Sequence, residues 1–248
     1  MLKDVRKNLP ALIILGILMA LLVAFSFFVP LREQKTVPVI MYHSINIRPI
    51  GIKDVTVGAD AFDSQMKYLA DNGYTSLTLD EDFTKYEKPI YITFDDGYVD
   101  NYKFAYPILE KYNMVATIFL IAKNINMPGY LSQEQILSME NRVSFQSHTV
   151  NHRRLSWMSR KEVDYECSIS KDIISSVTKK AVFAISYPDG AYNAVVSGIA
   201  SKYYSCALTT LNGFESQLQG NFKIRRITIS PANTMDDFIT MLHSEGKI

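Results

Sequence analysis

Cysteine, histidine and tryptophan are scarce in this 248-residue chain, at two, four and one. Cys167 and Cys206 lie too far apart for any metal-ligand spacing, which excludes a thiolate metal site of the usual kind. Two small core residues are the plainer reading, and spacing alone leaves a disulfide open. An excess of one charge is also missing. The 26 Lys and Arg against 25 Asp and Glu are mixed along the chain, which excludes a basic surface for nucleic acid. Internal repeats and low-complexity segments are absent, so the chain is no solenoid and no linker-rich array.

What is present begins with an uncharged, apolar run of 20 residues from Pro10 to Val29, long enough to cross about 30 Å of hydrocarbon as a helix. Lys3, Arg6 and Lys7 precede it, and the positive-inside tendency keeps that end cytoplasmic and sends the remainder out. The expected order is a cytoplasmic tail over 1–8, a transmembrane anchor over 9–30, a linker over 31–36 and a folded domain over 37–248. A cleaved signal peptide competes, with Ala24-Phe25-Ser26 as a tolerable cleavage site and a secreted product. One domain of this size is ordinary for an α/β barrel.

Short β-rich runs then alternate with amphipathic stretches. Strands are expected at 37–42, 75–79, 89–95, 115–121, 143–147, 182–187, 205–209 and 222–229, with 44–58 as an aperiodic loop. Asp60 reads as an N-cap, and Ser132/Gln135 and Ser159/Glu162 as capping boxes. A last helix follows Thr234. This alternation argues for a parallel sheet, and seven or eight such units argue for a closed barrel, with its chemistry at the strand C-termini. His43, Asp95, Asp96, His148 and Tyr187 all fall there.

The strand Tyr91-Ile92-Thr93-Phe94 ends in Asp95-Asp96-Gly97, two adjacent carboxylates that repel unless a cation compensates them. About fifty residues on comes His148-Thr149-Val150-Asn151-His152, spaced to put both rings on one helical face or to present them from one loop. One carboxylate and two imidazoles suit zinc with an open coordination position, and the second carboxylate is placed to act as a general base. Two histidines and a carboxylate also suit the iron(II) of a non-haem oxygenase.

Thr93-Phe94-Asp95-Asp96-Gly97 and His148-Thr149-Val150-Asn151-His152 resemble the first two motifs of the polysaccharide deacetylases, the NodB-homology carbohydrate esterases. The resemblance extends over roughly residues 37–230. It implies a distorted (β/α) barrel of about seven strands, a divalent metal, most often Zn2+, and removal of acetyl groups from N-acetylglucosamine polymers. Carried over residue by residue, Asp95 is the catalytic base and Asp96, His148 and His152 hold the metal. Tyr187-Pro188-x-Gly190 resembles the third motif, which implies the Tyr187 backbone N–H as oxyanion donor and Tyr187 and Pro188 as substrate contacts.

Departures from the pattern carry information. The usual arginine of the third motif is missing, and Arg225 or Arg226 could replace it, with Arg226 the better match for orienting Asp95. Asp189 stands where the family often has an aromatic residue. Trp157 follows the histidine pair rather than forming an Asp-Trp motif. Met241-Leu242-His243 is similar to the usual Leu-x-His segment, but it belongs to the last helix, where a histidine is favourable for the dipole alone. His43 ends the first strand and resembles the catalytic acid of the biofilm poly-N-acetylglucosamine deacetylases, which precedes the Asp-Asp motif. The function implied is N-deacetylation of an extracellular or cell-wall polysaccharide, poly-N-acetylglucosamine before peptidoglycan. An inactive glycan-binding barrel is the alternative from another class.

Overall fold

The structure, a computed structural model, describes Ile14, Met19 and residues 35–47, 55–218 and 220–244. Of the chain's two compact units, Met1–Gln34 and Lys35–Ile248, the second carries the sheet and its helices. The transmembrane helix expected over 9–30 lies outside the described residues, apart from Ile14 and Met19. Among the described residues no helix is long and apolar enough to cross a membrane.

The strands are β1 (Val37–Tyr42), β2 (Ser44–Asn46), β3 (Thr56–Gly58), β4 (Thr75–Leu77), β5 (Pro89–Phe94), β6 (Ala116–Leu120), β7 (Val143–Ser147), β8 (Ala184–Ser186), β9 (Cys206–Leu208), β10 (Phe214–Glu215) and β11 (Ile227–Thr228). The helices are α1 (Ala59–Asp71), α2 (Tyr106–Lys111), α3 (Gln133–Met139), α4 (Arg160–Thr178), α5 (Ala194–Ala200) and α6 (Met235–His243). The main sheet runs β10-β1-β5-β6-β7-β8-β9, and only the β1–β10 pair is antiparallel. β11 pairs β1 in parallel, while Ile224, three residues earlier, bridges Leu208 of β9. The segment from Ile224 to Thr228 thus touches both edges, curling seven strands into a distorted barrel.

Two apolar clusters show which face is which. Residues of one parity, including Ile40, Tyr42, Ile92, Phe94, Ile118 and Ile185, pack with Phe62 and Met66 of α1 and Val163 and Ile174 of α4. The other parity, including Val37, Val39, Tyr91, Phe119, Ala184 and Leu208, forms a second cluster to which, among the described residues, no α-helix contributes. That cluster is the barrel interior. Continuing each alternation to and past the strand end sends His43, Asp95, His148 and Ser186 inward and Tyr187 outward.

Local signals set most helix starts. The Ser132/Gln135 and Ser159/Glu162 boxes both form, and Thr234 makes a third with Asp237. Asp60 is not an N-cap: α1 starts directly from β3, with Gly58 at the cap, and Asp60 falls in the first turn. The stretch 44–58 is not wholly loop either, because β2 and β3 pair in parallel. Three-residue strands are too short to show periodicity. Ahead of α2, residues Asn101–Ala105 form a π-helical turn, and Pro107, which cannot donate a helical hydrogen bond, lies in the first turn after it.

Candidate metal centre

Asp95, Asp96, His148 and His43 each sit one or two residues beyond a strand, and His152 follows on the loop after β7. The ladder continues past β5 through Asp95 N–H to Tyr42 O at 3.0 Å, and past β7 through His148 N–H to Leu120 O at 2.8 Å. The chain then turns left-handed at Asp96 and Gly97, with φ of 72° and 74°. Gly97 suits the turn on two counts, its positive φ and a Cβ position 2.6 Å from Leu120 Cδ2, which would have to shift for a larger residue. This turn lets two adjacent carboxyls diverge instead of repelling.

Asp95 goes to a cation. Arg226, with none of its surface exposed, grips it bidentately at 2.8 and 2.7 Å. Its other donors are used too: Nε on Thr209 O at 2.9 Å and Nη2 also on Ser186 Oγ at 2.9 Å. Ser186 Oγ donates in turn to Asp95 Oδ2 at 3.1 Å. Burial pushes the Asp95 carboxyl up, but Arg226, helped by His148 and His43, outweighs it and holds the group well below the usual carboxylate range. Arg225, the other candidate, bonds Glu215 and Phe214 O instead.

A pH dependence follows. Because the folded pKa is depressed, the pair's stabilisation is complete above the unfolded pKa of about 3.9 and is lost as acid carries the pH down through the folded value. Arg226→Met leaves Asp95 with burial opposed only by His148 and His43, at a cost of about 3–5 kcal/mol at neutral pH that shrinks as acid protonates the carboxyl. Urea midpoints measured from pH 3 to 8 should show the deficit at pH 7 shrinking toward acid. An equal deficit at every pH would refute this.

Asp96 goes to the histidines. Its Oδ1 lies 3.5 Å from His148 Nε2 and 3.4 Å from His152 Nε2, and it is buried without a hydrogen-bond partner. His148 Nδ1 lies 2.8 Å from Ser186 O, and a carbonyl there requires Nδ1 to carry the proton, leaving the Nε2 lone pair free. Burial, opposed by Asp95 and Asp96, lowers the His148 pKa and favours the neutral ring.

All three ligand atoms fall within 4.8 Å of one another. Donors about 2.0–2.2 Å from a tetrahedral ion sit about 3.3–3.6 Å apart, which matches the two separations from Asp96. The three side chains therefore fit a divalent metal, and the orphaned carboxyl oxygen has its partner when one binds.

The histidine pair stands on a loop, not a helical face, with Thr149 and His152 at φ of 68° and 55°. Such values in non-glycine residues store strain, and they gather here. His152 N–H donates to Thr149 Oγ1 at 3.0 Å. His43 faces the interior abreast of Asp95, since Tyr42 and Phe94 are in register. Burial lowers its pKa, against the pull of Asp95 and Asp96. Asn101 Nδ2 holds the His43 carbonyl at 2.8 Å, and Ser44 Oγ donates to Asp100 at 2.6 Å.

Tyr187 requires a correction. Its N–H donates to Leu208 O at 3.0 Å, within the β8–β9 pairing, so it is not free for an oxyanion. Its ring is fully buried on the helix side and stacks on Tyr192 at 5.5 Å, so it is no substrate contact. The Pro188–Gly190 turn bonds through Gly190 N–H and Ala191 N–H, which leaves the amide of Asp189 uncommitted by the turn. Pro188 is buried in that turn. His243 ends α6 and pairs with Tyr68 on α1, and both cysteines are free and buried.

Sequence reasoning missed Ser186, Asn101 and Glu166. The last, a charged residue on the apolar face of α4, was visible as an exception to that pattern. A cavity of about 400 Å³ lined by Glu140, Arg142, Gln146 and Phe183 lies at the opposite, N-terminal strand ends. Size does not decide here: the convergent donors are at the other end.

A polysaccharide deacetylase family model matches residues 83–204, which include Asp95, Asp96, His148 and His152 but neither His43 nor Arg226. The chain is similar to YxkH of Bacillus subtilis (strain 168), with 35% identity over 228 residues, 88% of this chain and 80% of that one. It is 30% identical over 164 residues to the poly-beta-1,6-N-acetyl-D-glucosamine N-deacetylase of Staphylococcus aureus (strain MRSA252), over 57% of this chain and 56% of that protein. The structure of the Streptococcus pyogenes deacetylase PplD in complex with acetate superposes with a TM-score of 0.79 at 30% identity, covering 85% of this chain and 100% of that one.

Proposed function

The chain belongs to the polysaccharide deacetylase family, and we propose that it hydrolyses the N-acetyl groups of N-acetylglucosamine units in an extracytoplasmic polymer, poly-N-acetylglucosamine before peptidoglycan. The observation that carries this is the Asp96, His148 and His152 cluster with an ionised, separately anchored Asp95 beside it. The inward-facing His43 and the similarity to the staphylococcal enzyme favour the biofilm-type polymer. The apolar run from Pro10 to Val29 supports a membrane-anchored enzyme with its catalytic unit outside.

Asp96, His148 and His152 would hold the ion, with Zn2+ the best match to two imidazoles and one carboxylate. When bound, the ion supplies Lewis acidity toward the amide carbonyl and the attacking water. Asp95 takes the water's proton as the water oxygen bonds to the acetyl carbon. Arg226 keeps Asp95 ionised and aimed, at some loss of basicity. The Asp189 N–H is the amide assigned to the developing oxyanion. His43 is placed to pass a proton, the one Asp95 takes from the water, to the glucosamine nitrogen as the C–N bond breaks, releasing acetate and an amine.

The glycan-binding alternative predicts the same affinity for polymer but no product. Zinc-loaded protein should release acetate from β-1,6-linked N-acetylglucosamine oligomers, and faster than from peptidoglycan fragments. Release from neither would leave the binding barrel as the better reading. Faster release from peptidoglycan would overturn the choice of polymer alone.

A further inference from the structure

The loop between the two histidines has no strand or helix to satisfy its backbone, so its amides must find side chains. They do so one by one. Thr149 N–H donates to Ser147 Oγ at 3.2 Å, and His152 N–H to Thr149 Oγ1 at 3.0 Å. The two amides between them, Val150 and Asn151, both donate to Glu166 Oε2, at 2.8 and 2.9 Å. Asn151 Nδ2 donates to the other oxygen, Oε1, at 2.7 Å. Glu166 is 1% exposed, on the inward face of α4, and it has no cation among these partners.

The same helix makes a second grip. Ser170, one turn on from Glu166, bonds Ser147 Oγ at 2.8 Å, so the two residues hold the loop from one stripe of α4. From the other side, Ala122 and Lys123 N–H groups take the carbonyls of Thr149 and Val150 at 2.9 and 3.3 Å. Among the described residues only Glu166 offers two acceptor oxygens to the middle of a loop whose ends, at Thr149 and His152, are in strained left-handed conformations. Released, those two residues relax toward negative φ and the His148–His152 spacing changes.

We propose that Glu166 is a positioning residue of the metal centre: it fixes the loop geometry that brings His152 to the ion already faced by His148 and Asp96. This rests on the metal-dependent reading above. It acts through the loop backbone and touches neither ion nor substrate.

The test is zinc affinity of the folded protein, by competition with a chromophoric chelator well below the melting temperature. Glu166→Ala should weaken binding about 10–100-fold, the range for outer-shell partners of metal ligands. Glu166→Gln keeps one acceptor oxygen and should fall between that variant and wild type. Exchange of the Val150 and Asn151 amides in metal-free protein should quicken in the same order. A merely structural glutamate would lower the melting temperature and quicken those amides but leave the zinc affinity of the folded protein alone.

If Glu166→Ala does not fold, Glu166→Gln decides, with affinity within twofold of wild type counting against the proposal. Wild-type protein that takes up no zinc overturns the metal reading and the positioning role with it. Zinc held equally by wild type and variants overturns the positioning role alone.

Discussion

Asp95→Asn should bind zinc as wild type does and lose turnover by about 10²–10⁴-fold, the contribution of a positioned general base. The amide keeps the shape and one acceptor for Arg226, but it cannot take the water's proton. It also removes what is, among the described residues, the only carboxylate on a guanidinium with no exposed surface. Breaking a buried pair from one side costs about 3–5 kcal/mol, so the melting temperature should drop by roughly 10 °C. The two losses have different causes and separate in experiment. Assays at 20 °C, where the variant is folded, report the missing base alone, and near-normal acetate release there would end the assignment of Asp95.

Asp96→Ala and His148→Ala should abolish metal uptake, and with it activity. The clearest readout is linkage: zinc at about a hundred times its dissociation constant stabilises a binding protein by about 2.7 kcal/mol, and neither variant should gain this. A second consequence is less obvious. In metal-free protein Asp96 Oδ1 is a buried acceptor with no partner, a penalty of about 1–3 kcal/mol that alanine removes. The left-handed φ of 72° at this position costs alanine about 1–2 kcal/mol in return. Metal-free Asp96→Ala should therefore match metal-free wild type to within about 1 kcal/mol. A large destabilisation would mean that Asp96 serves the fold rather than an ion.

The convergence of Asp96, His148 and His152 was legible because each follows a strong apolar strand, and a parallel barrel collects its strand ends at one mouth. The capping boxes at Ser132 and Ser159 were legible because their physics spans four residues. Tyr187 was misjudged although the information was there. Ala184 and Ser186 share one face and Ile185 and Tyr187 the other, so Tyr187 belongs with the helices. Glu166 escaped because helix reading looks for apolar residues, and a carboxyl on that face needs a distant partner that periodicity does not reveal. The pairing of β2 with β3 escaped for a similar reason. Its stability comes from neighbours, not from three residues of pattern.

Arg226 reaches Asp95 across 131 residues of sequence, from the segment that bridges the two edges of the sheet. A nascent chain on the ribosome can complete the aspartate and histidine strands long before this arginine emerges. Until then Asp95, buried without its counterion, favours the protonated form and is useless as a proton acceptor. The last strand to be made thus also arms the site, and a chain terminated before Arg226 should be inert even if its metal ligands assemble.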